Sequence, residues 1–118
     1  MADNQTSLGR AAEEMAVKLL KKRGYKIIER NYRSSLGEID IIARDGKTLT
    51  FIEVKARSGD LFGPPQEAVD LRKQIKLSKV AMDYIIKMGI EGQPMRFDVV
   101  AITGDKAELI KNAFEIRE

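Results

Sequence analysis

The sequence contains no cysteine, no histidine and no tryptophan. The absence of cysteine excludes disulfides, thiolate zinc sites and cysteine nucleophiles. The absence of histidine excludes a Ser-His-Asp triad, histidine-ligated zinc and any imidazole general base. Any catalysis by these 118 residues must therefore use carboxylates and lysines.

Long apolar runs are missing as well. No stretch approaches the roughly 20 residues that a helix needs to cross a bilayer, and the segment MADNQTSLGR lacks the apolar region of a signal peptide. We therefore expect a cytoplasmic protein without membrane association. An apolar share of 43% and a charged share of 33% are typical of a globular chain. The length predicts a single domain over residues 1–118, with a core over about residues 8–114.

The net charge of +3 is unevenly distributed along the chain. Residues 10–33 contain eight Lys or Arg against three Glu, whereas residues 34–118 are about neutral. A basic segment on a near-neutral body is a candidate footprint for a polyanion. On charge alone, an ordinary solvated helix face is the better explanation.

The apolar patterns predict a mixed α/β domain. A helix over about residues 8–23 precedes strands over 25–31, 38–44 and 48–55, with Asp45-Gly46 as a hairpin turn. A loop, GDLFGPPQ, leads into a long helix over about residues 66–88. The strands RFDVVAIT and KAELIKNAF follow, around Gly104-Asp105. This order, α-β-β-β-α-β-β, predicts a mixed sheet flanked by helices.

Four charged residues interrupt the predicted hairpin, namely Glu38, Asp40, Glu53 and Lys55. A two-residue turn at Asp45-Gly46 puts Arg44 opposite Lys47 and makes Asp40 a diagonal neighbour of Glu53. A four-residue turn makes the two acids direct partners. In either case one hard cation, Mg²⁺ or Mn²⁺, can bridge them. The alternative is a solvated face on which the acids pair with nearby cations, and the spacing alone favours neither.

Asp40, followed after a twelve-residue gap by Glu53-Val54-Lys55, resembles the signature of the PD-(D/E)xK nucleases. Together with GRAAEEMA, GEIDIIA, FIEVKAR and FGPPQEAV, it is similar to the small bacterial YraN-like family of uncharacterised proteins, from Gly9 to about residue 102. The resemblance implies a restriction-endonuclease-like α-β-β-β-α-β core with an added C-terminal strand, and a likeness to Holliday-junction resolvases. The literal proline of the PD pair is absent, since the chain reads GEID.

The resemblance also implies roles for particular residues. Asp40, Glu53 and the Val54 carbonyl would hold the metal, and Lys55 would orient or deprotonate the attacking water. Glu13, on the first helix, would hold a second metal or its water ligand. The residues expected to contact nucleic acid are Arg10, Arg33, Arg57, Gln66 and Lys73, with Arg96 as a weaker candidate. Asp98 is expected to be a salt-bridged structural residue.

The leading hypothesis is a divalent-metal-dependent phosphodiesterase. It would be an endonuclease whose DNA substrates include branched DNA. Two rivals are a non-catalytic nucleic-acid-binding module with the same fold and an interaction protein whose acidic cluster is structural. A resolvase-like role predicts a two-fold homodimer, because two strands are cut by two sites.

Overall fold

The computed structural model describes residues 7–57 and 69–116, with side chains over 9–56 and 69–116. The elements are α1 (Ser7–Lys22), β1 (Lys26–Ser34), β2 (Gly37–Asp45), β3 (Thr48–Arg57), α2 (Leu71–Met88), β4 (Met95–Thr103) and β5 (Lys106–Phe114). The predicted order of helices and strands is therefore confirmed. No helix in the described part of the chain is long and apolar enough to span a membrane.

The five strands form one mixed sheet in the order β1-β2-β3-β4-β5. Each neighbouring pair is antiparallel except β3 and β4, which run parallel. A parallel pair needs a long crossover connection, and α2 lies within the connection between these two strands.

The helices pack on opposite faces of this sheet, so the molecule has two apolar clusters. Ala16 and Leu20 of α1 share one cluster with Ile52 of β3. Phe51, the preceding residue, lies in the other cluster with Val80 of α2. This alternation is the period-two pattern of a strand that is buried on both faces.

The β2–β3 register differs by two residues from the expected one. Arg44 pairs with Leu49, so the prediction of Arg44 opposite Lys47 was wrong, and the turn lies at Gly46-Lys47. Gly46 has φ 63°, at the first central position, where type II′ hairpin turns use glycine. Because the shift is even, Asp40 and Glu53 stay on the same face of the sheet, as predicted.

Strand β1 is longer than expected. It continues to Ser34 instead of ending at Asn31. Asn31 takes a left-handed conformation with φ 56°, which asparagine tolerates better than most residues. The strand therefore passes through this residue and turns back into β2 after Ser34, which pairs with Gly37.

Helix α2 begins at Leu71, later than expected. The Asp70 side chain accepts a hydrogen bond from the Lys73 amide, which satisfies a donor of the first turn. Val69 and Asp70 are not helical, so a helix running unbroken from Gln66 was wrong. Gln66 itself, and the predicted loop over residues 59–66, lie outside the described residues.

Candidate metal-binding pocket

Asp40 and Glu53 lie where β2 and β3 stop pairing. Ile41 and Ile52 form the last pair of this ladder, and one further step of the same register sets Asp40 beside Glu53. The Asp40 Oδ2 atom accepts a hydrogen bond of 2.8 Å from the Val54 amide. The Asp40 carboxylate thus satisfies the Val54 amide, a backbone donor of β3 beyond the end of the β2–β3 pairing.

The sheet is locally distorted around Asp40. One more step of the β1–β2 register sets Asn31, with its φ of 56°, opposite Asp40. Ile39 and Ile41, on either side of Asp40, pack in different apolar clusters, although regular alternation would put them on the same face. Asp40 lies on the face that α2 covers, as alternation from Ile42 requires, and the distortion brings Ile39 to that face as well.

A pocket of about 390 Å³ opens over the two acids on the α2 side. Strands β1, β2 and β3 contribute one wall, and the first two turns of α2 contribute the other. The lining residues are Arg33, Ser34, Gly37, Glu38, Asp40, Glu53, Lys73, Lys76 and Leu77.

The β1–β2 hairpin passes very close to α2 at the rim of this pocket. A Cβ atom added to Gly37 would lie 3.1 Å from the Lys76 Cε atom and 3.2 Å from the Val80 Cγ2 atom. Glycine at this position therefore allows the close approach that closes one side of the pocket.

The positive charge around Asp40 and Glu53 does not balance their two carboxylates. Partial burial raises the pKa of Asp40 to about 8, and the negative charge of Glu53 adds to this increase, while the Val54 hydrogen bond opposes it. Among the described residues, no lysine or arginine forms an ion pair with Asp40. In the free protein Asp40 therefore keeps its proton to a higher pH than an ordinary aspartate does.

Among the described residues, Lys73 supplies the one ion pair to the Asp40–Glu53 pair. Its Nζ atom lies 3.1 Å from Glu53 Oε2. Burial alone would lower the pKa of Lys73, but the charge and hydrogen bond of Glu53 raise it above its ordinary value, with a smaller contribution from Asp40. Lys73 was expected from the sequence to contact phosphate, and it lies beside the acids.

Glu13 is buried on α1 and does not line the pocket. Its Oε1 atom accepts hydrogen bonds from Arg30 Nε at 2.8 Å and from Asn31 Nδ2 at 3.1 Å. Glu13 is thus linked to the site through Asn31, the residue opposite Asp40. Within residues 9–56 and 69–116, no three acidic side chains converge into a group that could hold a metal ion.

The remaining predicted residues lie at different distances from the pocket. Arg33 lines it and pairs with Glu38, with 3.2 Å between Nε and Oε2. Lys55 lies two residues beyond Glu53 on β3, and so on the same face, but it is not a lining residue. Arg10 is exposed on α1. The side chain of Arg57, like Gln66, lies outside the described residues.

Lys76 is a pocket residue that the sequence reasoning missed. Lys76 and Leu77 come three and four residues after Lys73 on α2, so the three side chains share one helix face. The segment RKQIKL carried this spacing. The signal was usable only with the knowledge that this helix face covers the acids.

A second acidic site lies around Asp98, which is completely buried. Asp98 accepts hydrogen bonds from Arg96 Nε at 2.8 Å, from the Tyr25 hydroxyl at 2.7 Å and from the Asn112 amide at 2.9 Å. Arg96 also pairs with Asp45 at 2.7 Å. The expected structural salt bridge of Asp98 is confirmed, and Arg96 is engaged within the protein.

The fold and the pocket together define an α/β domain with a candidate cation site at the end of its central hairpin. The chain belongs to the uncharacterised protein family UPF0102, whose model matches residues 12–102. The YraN-like resemblance inferred from the sequence is thereby confirmed.

Several bacterial relatives match nearly the whole chain. A UPF0102 protein of Geotalea uraniireducens is 49% identical over 120 residues, covering 98% of this chain and 94% of the relative. A UPF0102 protein of Syntrophus aciditrophicus is 47% identical, covering 92% and 88%. A third, from Thermodesulfovibrio yellowstonii, is 50% identical, covering 91% and 95%.

Proposed function

We propose that this protein is a divalent-metal-dependent phosphodiesterase that cuts nucleic acid, with DNA, including branched DNA, as the expected substrate. The observation that carries this proposal is the Asp40–Glu53 pair in a pocket whose rim bears Arg33, Lys73 and Lys76. Adjacent acids suit a hard cation, and a basic rim suits the phosphate that this cation would activate.

The donor set fits Mg²⁺ or Mn²⁺. Carboxylate oxygens are the ligands that these hard cations prefer, and Asp40 and Glu53 provide them side by side. The raised pKa of Asp40 marks a place where added positive charge is favourable. Asp40 and Glu53 would hold the ion, with the Val54 carbonyl as the further ligand implied by the family resemblance.

The chemistry that such an ion supplies is Lewis-acid stabilisation of the attacked phosphate and a lowered pKa for a water molecule. The chain's own side chains carry out the other steps. The family resemblance assigns to Lys55, on the same strand face as Glu53, the role of orienting the attacking water or accepting its proton, and the chain has no histidine to do so. Arg33, Lys73 and Lys76 bind the phosphate groups on either side of the bond that is cut.

Recognition in this proposal depends on the backbone and shape of the nucleic acid. All three tyrosines, Tyr25, Tyr32 and Tyr84, are buried, and the chain has no tryptophan. Few aromatic side chains are thus available to stack on bases. Affinity should come mainly from phosphate contacts, so it should decrease steeply with salt.

A second candidate is a nucleic-acid-binding module that does not cut. The position of Glu13 favours this alternative, because its carboxylate is bonded to Arg30 and Asn31 and does not join the acids of the pocket. A two-carboxylate site binds a cation less tightly than a three-carboxylate site, and phosphate contacts at the rim do not require cleavage.

A cleavage panel distinguishes the two candidates. Single-stranded, duplex, flap and four-way-junction DNA would be incubated with wild type and with Asp40→Asn, in Mg²⁺ and in Mn²⁺. The proposal expects cleavage of at least one substrate by wild type, reduced by at least about a hundredfold in the variant. Salt-sensitive binding without cleavage of any substrate would favour the binding module instead.

A further inference from the structure

We propose that Lys73 is an exchangeable counter-ion of the acid pair. In the free protein it neutralises Glu53; when a divalent cation binds, it leaves Glu53 and contacts the phosphate of the substrate. This inference rests on the proposed function, because it assigns a partner exchange to one residue of the same pocket.

The position of Lys73 suits such an exchange. Its Nζ atom lies 3.1 Å from Glu53 Oε2, and its side chain is 42% exposed whereas that of Glu53 is 7% exposed. The backbone is fixed, because the Asp70 cap bonds the Lys73 amide at 2.9 Å. The side chain is a flexible four-carbon stem with a compact charge at its end. Lys73 can therefore change partners without any movement of α2.

The charges of the pocket explain why an exchange is required. A divalent cation on Glu53 would repel an ammonium group held by the same carboxylate. Glu38, the other acid lining the pocket, is already paired with Arg33. With Asp40 and Glu53 on the cation and Glu38 paired with Arg33, each lining carboxylate already has a cationic partner when Lys73 is displaced. A phosphate group at the pocket mouth would provide the missing negative charge.

Lys55 does not have these properties. It follows Glu53 in the motif, but it lines no part of the pocket and forms no ion pair with the acids within the described residues. Lys76 lines the pocket but, within the same residues, is not ion-paired to Glu53 or Asp40. Of these three lysines, Lys73 is the one whose ion pair with Glu53 competes with a cation for the same carboxylate.

The exchange predicts effects of opposite sign on two measurements. Lys73→Gln removes the competing ammonium group, so Mn²⁺ should bind the free protein about fivefold more tightly, as expected for the loss of a partly exposed ion pair. The same variant lacks the phosphate contact, so cleavage at saturating Mn²⁺ should fall by at least about tenfold. Lys73→Arg keeps the charge and should bind Mn²⁺ within about twofold of wild type.

The test combines calorimetric titration of Mn²⁺ into the DNA-free protein with cleavage rates at saturating Mn²⁺. Lys76→Gln is the matched control, since it removes the same charge from the same helix face. It should change the Mn²⁺ affinity by less than about twofold. Tighter Mn²⁺ binding combined with slower cleavage, in Lys73→Gln alone, would support the exchange.

Other results overturn it in distinguishable ways. If Lys73→Gln binds Mn²⁺ no more tightly than wild type while wild type binds and cleaves, the exchange is wrong and the proposed function stands. If the metal binds and wild type cuts no DNA in the panel, the nuclease proposal and the phosphate half of the exchange both fail. If neither protein binds Mn²⁺, both the exchange and the proposed function are overturned.

Discussion

Two acidic sites in this molecule differ in how their charge is compensated. Asp98 is fully buried and receives donors from Arg96, Tyr25 and Asn112. Asp40 and Glu53 lie side by side, and within residues 9–56 and 69–116 their single ion pair is the one from Lys73 to Glu53. Burial and the neighbouring Glu53 raise the pKa of Asp40 to about 8.

The difference separates a structural acid from a candidate ligand site. A buried carboxylate surrounded by donors holds together the elements that supply them, and removing it leaves buried donors without their acceptor. A carboxylate placed beside another acid destabilises the free protein and favours the binding of a cation. Local burial alone would not distinguish the two sites; the number of donors does.

The largest expected effect is the loss of the Asp98 network. Asp98→Ala leaves Arg96 and the Tyr25 hydroxyl without their buried partner and should lower the free energy of unfolding by about 3–5 kcal/mol. Urea denaturation measures this change. Glu91→Ala, at an exposed position, is the control and should stay within about 0.5 kcal/mol of wild type. A loss below about 1 kcal/mol for Asp98→Ala would contradict the structural role of Asp98.

Asp40→Asn should instead raise the free energy of unfolding of the metal-free protein. Because the folded-state pKa of Asp40 is raised from 3.8 to about 8, the folded state holds a proton that the unfolded state releases in this interval. The contribution of Asp40 to stability is therefore fully present below about pH 4 and is lost as the pH rises to about 8. At pH 8 the asparagine variant should be more stable by about 2 kcal/mol, since it carries no charge to bury.

Urea denaturation in EDTA at several pH values tests this prediction. Glu38→Gln serves as control, because Glu38 is more exposed and already paired with Arg33; its effect should stay below about 1 kcal/mol. An Asp40→Asn variant that loses stability at pH 8 would mean that the acid is needed for folding, as Asp98 is.

A divalent cation should stabilise the protein through the acid pair. At a Mn²⁺ concentration ten times its Kd, the gain is about 1.4 kcal/mol, which for a chain of this size corresponds to a rise in Tm of about 5 °C. Thermal unfolding followed by circular dichroism measures the rise, and EDTA should reverse it. An equal rise in Asp40→Asn would mean that the ion binds elsewhere.

The smallest effect on stability is expected at the pocket rim. Arg33→Gln breaks only an exposed pair with Glu38, so the free energy of unfolding should change by less than about 1 kcal/mol. Binding to DNA should nevertheless weaken, and the slope of log affinity against log salt should decrease in magnitude by about one. An unchanged slope would exclude Arg33 from the phosphate contacts.

The element order could be predicted because turn signals and apolar periodicity are local. The β2–β3 register could not be fixed in the same way, since Asp45-Gly46 and Gly46-Lys47 are both acceptable glycine turns and differ by two residues in pairing. Asp40 and Glu53 still meet in either register, because an even shift preserves the faces.

The partners of the acids required tertiary packing. The contact between Lys73 and Glu53 depends on how α2 docks on the sheet. The helical periodicity of the sequence predicts which face of α2 is buried but not where that face docks. Glu13 is buried on α1, and its carboxylate accepts hydrogen bonds from Arg30 and from Asn31, the residue of β1 with a left-handed backbone. Such a residue inside a strand has no reliable sequence signal.

Calorimetric titration of Mn²⁺ into the metal-free wild type, with Asp40→Asn and Glu53→Gln alongside, tests the central claim most directly. The acid pair as a cation site predicts one ion per wild-type chain and an affinity at least about a hundredfold lower in each variant. Binding that survives in both variants, or a wild type that takes up no Mn²⁺, would contradict the claim.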